Sequence, residues 1–298
     1  MEIFNKFTAI YKYPNSSASR KTKQKVGYGL LFITTFITVA PILSVVIYIF
    51  IKGVSAISWE FLTSFPTDGM KQGGIFPAIV GTIYLTIFTA IFSVPLGIGA
   101  AIYLSEYAPE NRWTRIIRIA IINLAGIPSV VYGLFGLGMF VIFFKLGISI
   151  FAGALTLAIT TLPVIISTSE EALRAVPQSF RVISFSLGAT RWQTIRRIIV
   201  PQSLPGIMTG VILGLERAAG ETATILFTAA VFFLPRLPSS PLEPTMALPY
   251  HLYVISTQVP GMPVEIQYGT ALVLLVLVLG LNLLASIIRF RARAHRQW

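Results

Sequence analysis

Apolar residues run along this chain in long uncharged blocks. They occupy 28–51, 78–104, 119–144, 146–169 and 266–288. Each block reaches the roughly 20 residues that a helix needs to cross a hydrocarbon layer about 30 Å thick. A sixth block, 206–234, is interrupted only by Glu216, Arg217 and Glu221 near its centre. The pattern predicts an all-α membrane protein with six transmembrane helices. The tightest boundary falls between the third and fourth blocks, where Lys145 and Gly147 are nearly all the loop there is.

Two polar connections stand out between blocks. Residues 52–77 contain "SWEFLTSFPTDG", and 235–265 begin "PRLPSSPLEPTMALP", whose prolines forbid a regular helix. Both suit exposed loops, and the second could meet a partner on its side of the membrane. In the connection 170–203, Leu173, Val176, Phe180, Ile183 and Leu187 recur at helical spacing, while Pro177 and Gly188 divide it into short helices. Such an amphipathic segment can lie in lipid headgroups or insert as a knob into a partner's groove. Spacing alone leaves both open.

Composition agrees with the block pattern. Apolar residues make up 55% and charged residues 11%, and the mean hydropathy is +0.78, outside the range of ordinary soluble domains. The net charge of +12 changes the picture only through its distribution. Eighteen basic residues fall in the N-terminal tail, the second and fourth connections and the C-terminal tail; four (Lys52, Lys71, Lys145 and Arg236) fall on the other side. This asymmetry predicts that both tails are cytoplasmic. Nucleic-acid binding would instead gather basic and aromatic residues on one folded face, so no nucleic-acid partner is expected. The chain has no cysteine, which excludes disulfides and thiolate chemistry. The first block is too long for a signal-peptide core and reads as a retained anchor.

The charges in the fifth block carry the chemistry. On a wheel of 100° per residue, Gly206, Gly210, Gly214, Arg217, Glu221, Thr224 and Thr228 fall within about 80°, with Met208, Val211, Leu215, Leu226 and Ala229 opposite. The glycines form a helix-packing face. An arginine at membrane depth costs about 2.5–3.5 kcal/mol on insertion scales and therefore faces protein or water. Arg217 and Glu221 are either an internal pair that orders the bundle or part of a substrate path. A guanidinium suits an oxyanion. Beside it, Glu221 could accept a hydrogen bond from hydrogenphosphate, which carries a proton, and not from sulfate. The hydroxyls of Thr224 and Thr228 could donate to a passing oxyanion or bond back to their own helix. Glu216 lies off this stripe and has no assigned role. In the third block Pro128 predicts a kink; Ser129, Tyr132, Gly133 and Gly136 share a face that either packs the bend or lines the anion path.

Some chemistry is absent. No G-x-x-x-x-G-K-[ST] loop occurs, so ATP hydrolysis is not expected here; the glycines of "GLFGLG" at 133–138 lie inside a span and signal packing. Intramembrane proteolysis would need paired aspartates, a Ser–His couple or a zinc motif. Asp68 is the one aspartate, and His251 and His295 lie in a loop and a tail.

Longer stretches carry a family resemblance. They are "GGIFPAIVGT" at 73–82, "PLGIGAAIYLSEYAP" at 95–109, "LAGIPSVVYGLFGLGMF" at 124–140, "STSEEALRAVPQSFR" at 167–181, "LGATRWQTIRRIIVPQSLPGI" at 187–207, "RAAGETATILFTAA" at 217–230 and "ALPYHLYVISTQ" at 247–258. The chain resembles the permease subunits of bacterial ATP-driven phosphate importers, of the PstA type. The resemblance implies a type I ABC importer permease core at about 73–290 within a membrane domain 28–290, flanked by cytoplasmic basic tails 1–27 and 291–298. It implies that 170–203 is the coupling segment, with Glu171, Ala172, Phe180, Ile183, Leu187, Gly188 and Ala189 directed to an ATPase. The family's Glu-Ala-Ala position reads Val182-Ile183-Ser184 here, so its acid is missing, and Glu216 replaces an uncharged residue. The implied partners are a PstC-type second permease, an ATPase dimer carrying ATP and Mg²⁺, an extracytoplasmic phosphate-binding protein and the lipid bilayer. This chain itself is expected to bind no cofactor or metal. A permease for sulfate or molybdate, and a non-transporting scaffold or sensor, are the alternatives.

Overall fold

The computed structural model describes residues 17–294; Lys6 and Lys12 of the first tail, and His295 and Arg296 of the last, lie outside that range. The chain divides into two units, Met1–Ile51 and Lys52–Trp298. The first is helix α1 (Ser17–Gly53), whose last residues reach into the second unit. Four of its hydroxyl groups bond back within the helix: Thr34, Thr35 and Thr38 donate to carbonyls three or four residues back, and Ser44 to that of Pro41. That back-bonding lets polar side chains sit in an apolar span without stranded donors.

The second unit opens with α2 (Trp59–Thr63), capped by the Ser58 hydroxyl, which accepts from the Phe61 N–H. A two-residue hairpin follows, β1 (Pro66–Thr67) antiparallel to β2 (Gln72–Gly73). Next comes α3 (Phe76–Ile102), prolonged by a π-helical turn to Tyr107. The helix α4 (Arg112–Ala125) is capped by Asn111, whose carbonyl oxygen accepts from the Thr114 N–H at 2.9 Å. Then come α5 (Ser129–Gly136), extended by a π-helical segment to Phe143, and α6 (Ile150–Arg174), capped by Ser149. The connection 170–203 holds α7 (Gln178–Ser186) and α8 (Arg191–Thr194). A π-helical turn joins α8 to α9 (Val200–Gly220), so one rod runs from Arg191 to Gly220. The chain ends with α10 (Leu248–Thr257) and α11 (Val264–Ala294).

Among the described residues, five helices are long and apolar enough to cross a membrane, and the bent pair α4–α5 makes a sixth only if its two helices count as one span. Here the expected single kinked span over 119–144 is corrected. The two helices meet at 101°. Pro128 takes an extended conformation, φ −58° and ψ 138°. A proline has no N–H to continue the ladder and keeps the residue before it out of the helical region, so α4 stops and α5 begins anew.

At the centre is α6, which packs on α3, α4, α5 and α9. Its buried residues mix small ones, Ala152, Gly153, Ala154 and Ala158, and threonines, Thr156, Thr160 and Thr161, with the larger Leu157, Ile165, Ile166 and Leu173. Against its Thr161–Ala172 stretch α9 presents Gly206, Gly210 and Gly214. A Cβ on Gly206 would collide with Ala172, one on Gly210 would lie 2.8 Å from Thr168, and one on Gly214 2.9 Å from Ile165. Lipid tails are as apolar as leucine, so membrane helices associate through close van der Waals packing, which small residues permit.

Beyond the turns that follow α9, α10 carries His251, 2% exposed, with its Nδ1 unpartnered among the described residues. Burial pushes the imidazole down to about 4 from its ordinary 6.5. The unfolded chain therefore takes up the proton first on acidification. Stability is full above about pH 6.5 and is lost progressively down to about pH 4, by about 3 kcal/mol in all. Unfolding temperatures of the purified protein at pH 7.5 and 4.5 should diverge, and His251→Phe should shrink that difference.

Candidate functional site

The interrupted helix brings the site together. The helix expected through Thr228 ends at Gly220, and Glu221 turns to an extended conformation, φ −75° and ψ 128°. Glycine is a poor helix former, and the next backbone is claimed by α5. A Cβ on Gly133 would lie 2.7 Å from the Ala223 carbonyl oxygen, so the glycine makes room for residues 223–224 to fold against α5. Residues 221–230 thus form compact turns, and Arg217 sits in the last helical turn with Glu221 just past it.

Depth follows from the antiparallel packing of α6 and α9. Gly206 meets Ala172, Gly214 meets Ile165 and Thr161, and Ala218 shares a core cluster with Leu157. Arg217 is therefore level with a point some seven residues inside the Ile150 end of α6, roughly 10 Å at 1.5 Å per residue. It lies in the half of the bundle away from α7, nearer the Ile150 end of α6 than the middle of that helix. Arg217 and Glu221 are both half-buried. No ion pair joins them, and among the described residues neither side chain has a hydrogen-bond partner. The internal pair that the sequence allows does not form.

Other residues of the expected path are placed differently. Tyr132 is buried within electrostatic reach of the Arg217 charge, and its hydroxyl donates to the Leu124 carbonyl at 2.6 Å. Ser129 is half-buried, and its carbonyl accepts from the Thr224 hydroxyl at 3.4 Å. Thr224 and Thr228 are fully buried, and Thr228 donates to the Thr224 carbonyl. They leave the expected stripe because the helix does not reach them; their donors hold the turn together. Glu216 points the other way, accepting from Asn282 of α11 at 3.1 Å.

At the opposite end, α7 forms the exposed tip. Gly188 has φ 79°, a left-handed conformation that glycine adopts without Cβ strain, and it reverses the chain into α8, which Thr190 and Gln193 close with a reciprocal capping box. The predicted apolar stripe splits in two. Leu173 and Val176 are buried, Phe180 is half-buried, and Ile183 and Leu187 are exposed with Val182 and Phe185. Leu187 is 83% exposed. Glu171 is exposed and Ala189 half-buried. Ala172 is half-buried and packs against Gly206 of α9.

Sequence spacing missed what anchors this tip. Arg181 of α7 makes two bonds to Glu106 at the end of α3, Nη2 to Oε1 at 2.7 Å and Nε to Oε2 at 3.1 Å. It also donates to the carbonyls of Val176 and Leu173. Both side chains are about nine-tenths buried. A cleft of about 450 Å³ beside the pair is lined by Arg174, Gln178, Phe185 and Arg191 among others. Glu106 and Arg181 are 75 positions apart, so no local motif could have paired them.

This arrangement, a packed helix bundle with a broken span, an exposed apolar tip and an unpaired intramembrane charge site, defines a membrane transport subunit. Residues 93–293 match the binding-protein-dependent transport system inner membrane component family, and the chain belongs to it. The probable ABC transporter permease protein YqgI of Bacillus subtilis is 36% identical, over 90% of this chain and 95% of its own. The phosphate transport system permease protein PstA 1 of Mycobacterium tuberculosis is 31% identical, over 93% and 91%. Among solved structures, a bacterial ABC transporter involved in alginate import has the same fold, with TM-score 0.66 at 15% identity over 92% of this chain and 98% of that one.

Breaking a buried ion pair from one side costs about 3–5 kcal/mol. Glu106→Gln and Arg181→Gln should each lower the unfolding temperature and speed proteolysis between α7 and α8. The exchanged pair Glu106→Arg with Arg181→Glu should recover part of both losses; independent, additive effects would show that the pair is not a unit.

Proposed function

We propose that this chain is one of the two permease subunits of an ATP-driven importer of inorganic phosphate. The observation that carries the reading is the pair of ionisable side chains, Arg217 and Glu221, held inside the bundle without protein partners. Intramembrane charges that do not neutralise one another mark substrate paths. The guanidinium supplies the donor fork for the oxyanion. The carboxylate accepts the proton that hydrogenphosphate carries. Relatives named as phosphate transport permeases, such as PstA 1 of Mycobacterium tuberculosis, support that substrate.

Coupling follows from the mechanical connections. The exposed tip, Val182, Ile183, Phe185 and Leu187, offers an apolar knob to the groove of a cytoplasmic ATPase, where ATP and Mg²⁺ are bound. Because the family's loop acid is absent, this docking is mainly apolar. Closure of the ATPase dimer moves α7; the Arg181–Glu106 bond carries the motion into α3, and the rod from Arg191 to Gly220 carries it to Arg217. A second, PstC-type permease completes the pocket, and an extracytoplasmic phosphate-binding protein delivers the anion at the 235–265 connection. In this reading both termini are cytoplasmic.

In the reconstituted complex, Arg217→Ala should lower phosphate uptake by about a hundredfold, the loss of two charge-assisted hydrogen bonds, with assembly intact. Unchanged uptake would exclude the path. Glu221→Gln should keep anion passage yet reduce discrimination of phosphate against sulfate by roughly tenfold or more, measured by competition for labelled phosphate. If the preference for phosphate is unaltered, Glu221 does not read the proton.

A further inference from the structure

The helix α4 is a bound element of the fold with one face left over. On the inside, Arg118 donates through Nε to Glu170 and through Nη2 to the Leu104 carbonyl, both at 2.8 Å. The Thr114 hydroxyl donates to the Pro109 carbonyl, and Tyr132 holds the last turn through the Leu124 carbonyl. These bonds fix the helix across the end of the bundle. Glu170, also paired with Arg174, lies in the last turns of α6, the level at which that helix leaves the apolar layer.

The outward residues make an apolar strip and a basic strip beside it. At 100° per residue, Trp113, Ile116, Ile117, Ala120 and Leu124 span about 100° of the circumference; Arg112 and Arg115 lie about 60° apart next to them, with Ile119 between them and Ile122 beside Arg115, and Arg118 turns inward. Trp113 (63%), Ile116, Ile117, Ile119 and Ile122 are exposed, and so are Arg112 and Arg115. Arg112 stacks over Trp113 at 5.6 Å. Among the described residues, neither Arg112 nor Arg115 makes an ion pair. A cleft of about 490 Å³ is lined by Glu110, Asn111, Arg112, Arg115 and Arg118; with Arg118 bonded to Glu170, Arg112 and Arg115 face one acid, Glu110.

We infer that α4 is an in-plane interfacial helix and that this cleft binds the phosphate of an anionic phospholipid, whose acyl chains cover the isoleucine strip. At 14 residues the helix is about 21 Å long, too short to span. It meets the span that follows at 101°. Amphipathic helices of this kind settle at the headgroup boundary, and basic clefts at that depth hold anionic headgroups. A phosphodiester joined to two acyl chains satisfies both strips at once, which an apolar protein face would not. The inference rests on the cytoplasmic placement of this end proposed above.

The full transporter complex is reconstituted in phosphatidylcholine nanodiscs with a small fraction of brominated phosphatidylglycerol or brominated phosphatidylcholine. Emission of Trp113 is isolated by subtracting a Trp113→Phe preparation. Brominated phosphatidylglycerol should quench Trp113 at lower mole fraction, by about fivefold for each of the two arginines. Arg112→Gln with Arg115→Gln should abolish that preference and keep quenching by brominated phosphatidylcholine. Equal quenching by the two lipids overturns the headgroup site. Absence of quenching by either means that protein covers the helix and overturns it too. Loss of the preference on adding inorganic phosphate would assign the cleft to a soluble anion instead. Phosphate uptake by the same complexes in vesicles keeps the readings apart: uptake without lipid preference sinks the lipid site alone, and lipid preference without uptake sinks the transport reading alone.

Discussion

The close antiparallel approach of α6 and α9 is the constraint on which the rest depends. Membrane helices gain nothing from hiding apolar surface from lipid, so they stay together only where backbones come near enough for dense contact. The glycines of α9 allow this along about four turns of α6, from Gly206 and Ala172 through Thr168 and Ile165 to Ala218 and Leu157. A single Cβ at Gly210 would meet Thr168 at 2.8 Å. With that seam fixed, the depth of every other feature is fixed relative to it. Arg217 lies at one end, and the Arg118–Glu170–Arg174 cluster lies at the other.

Such a seam also permits irregular backbone deep in the bundle. Peptide groups at membrane depth must be bonded within the protein, because lipid offers no partner. Residues 221–231 meet this condition by borrowing from three elements. The Ser149 N–H donates to the Thr228 carbonyl, the Thr224 hydroxyl donates to the Ser129 carbonyl, and Thr245 exchanges backbone bonds with Ala229 and Val231. The consequence is chemical. A continuous helix would have placed Arg217 and Glu221 one turn apart on the same face, where they could pair. Ending the helix between them leaves both charges without a protein partner.

The sequence made the helical blocks legible because uncharged length is a strong signal: four of the six blocks coincide with helices long enough to cross a membrane, while 206–234 is helical only to Gly220 and its crossing helix begins earlier, at Arg191. The glycine face was legible too, since its period matches the helix that carries it. What failed was continuity. A wheel assumes that the helix goes on, and nothing in the hydropathy of 221–234 announces that α5 will claim that backbone. The break at Pro128 was half visible: the proline predicted a bend, but 101° depends on Asn111 capping a separate helix and on Arg118 bonding to α6. Arg181 and Glu106 were invisible for another reason. Each has ordinary neighbours in sequence, and their pairing exists only once α3 and α7 are folded together.

The reading of the coupling tip turns on those same long-range bonds. An exposed apolar knob can grip a partner, but a grip transmits force only if the knob is stiffly joined to what must move. Within α7, Arg181 is the joint: its guanidinium binds Glu106 of α3 and two carbonyls at the end of α6. On the other side of Gly188, the capping box starts a rod that runs unbroken through Trp192 to Gly220. The tip thus has one stiff connection to α3 and α6 and another to the helix that carries Arg217, with Gly188 at φ 79° between them. A displacement of α7 against α8 must either bend that glycine or shift α9 along the small-residue seam. Small residues resist separation but offer little relief against sliding, so the seam that holds the bundle together is also the surface along which Arg217 can be moved.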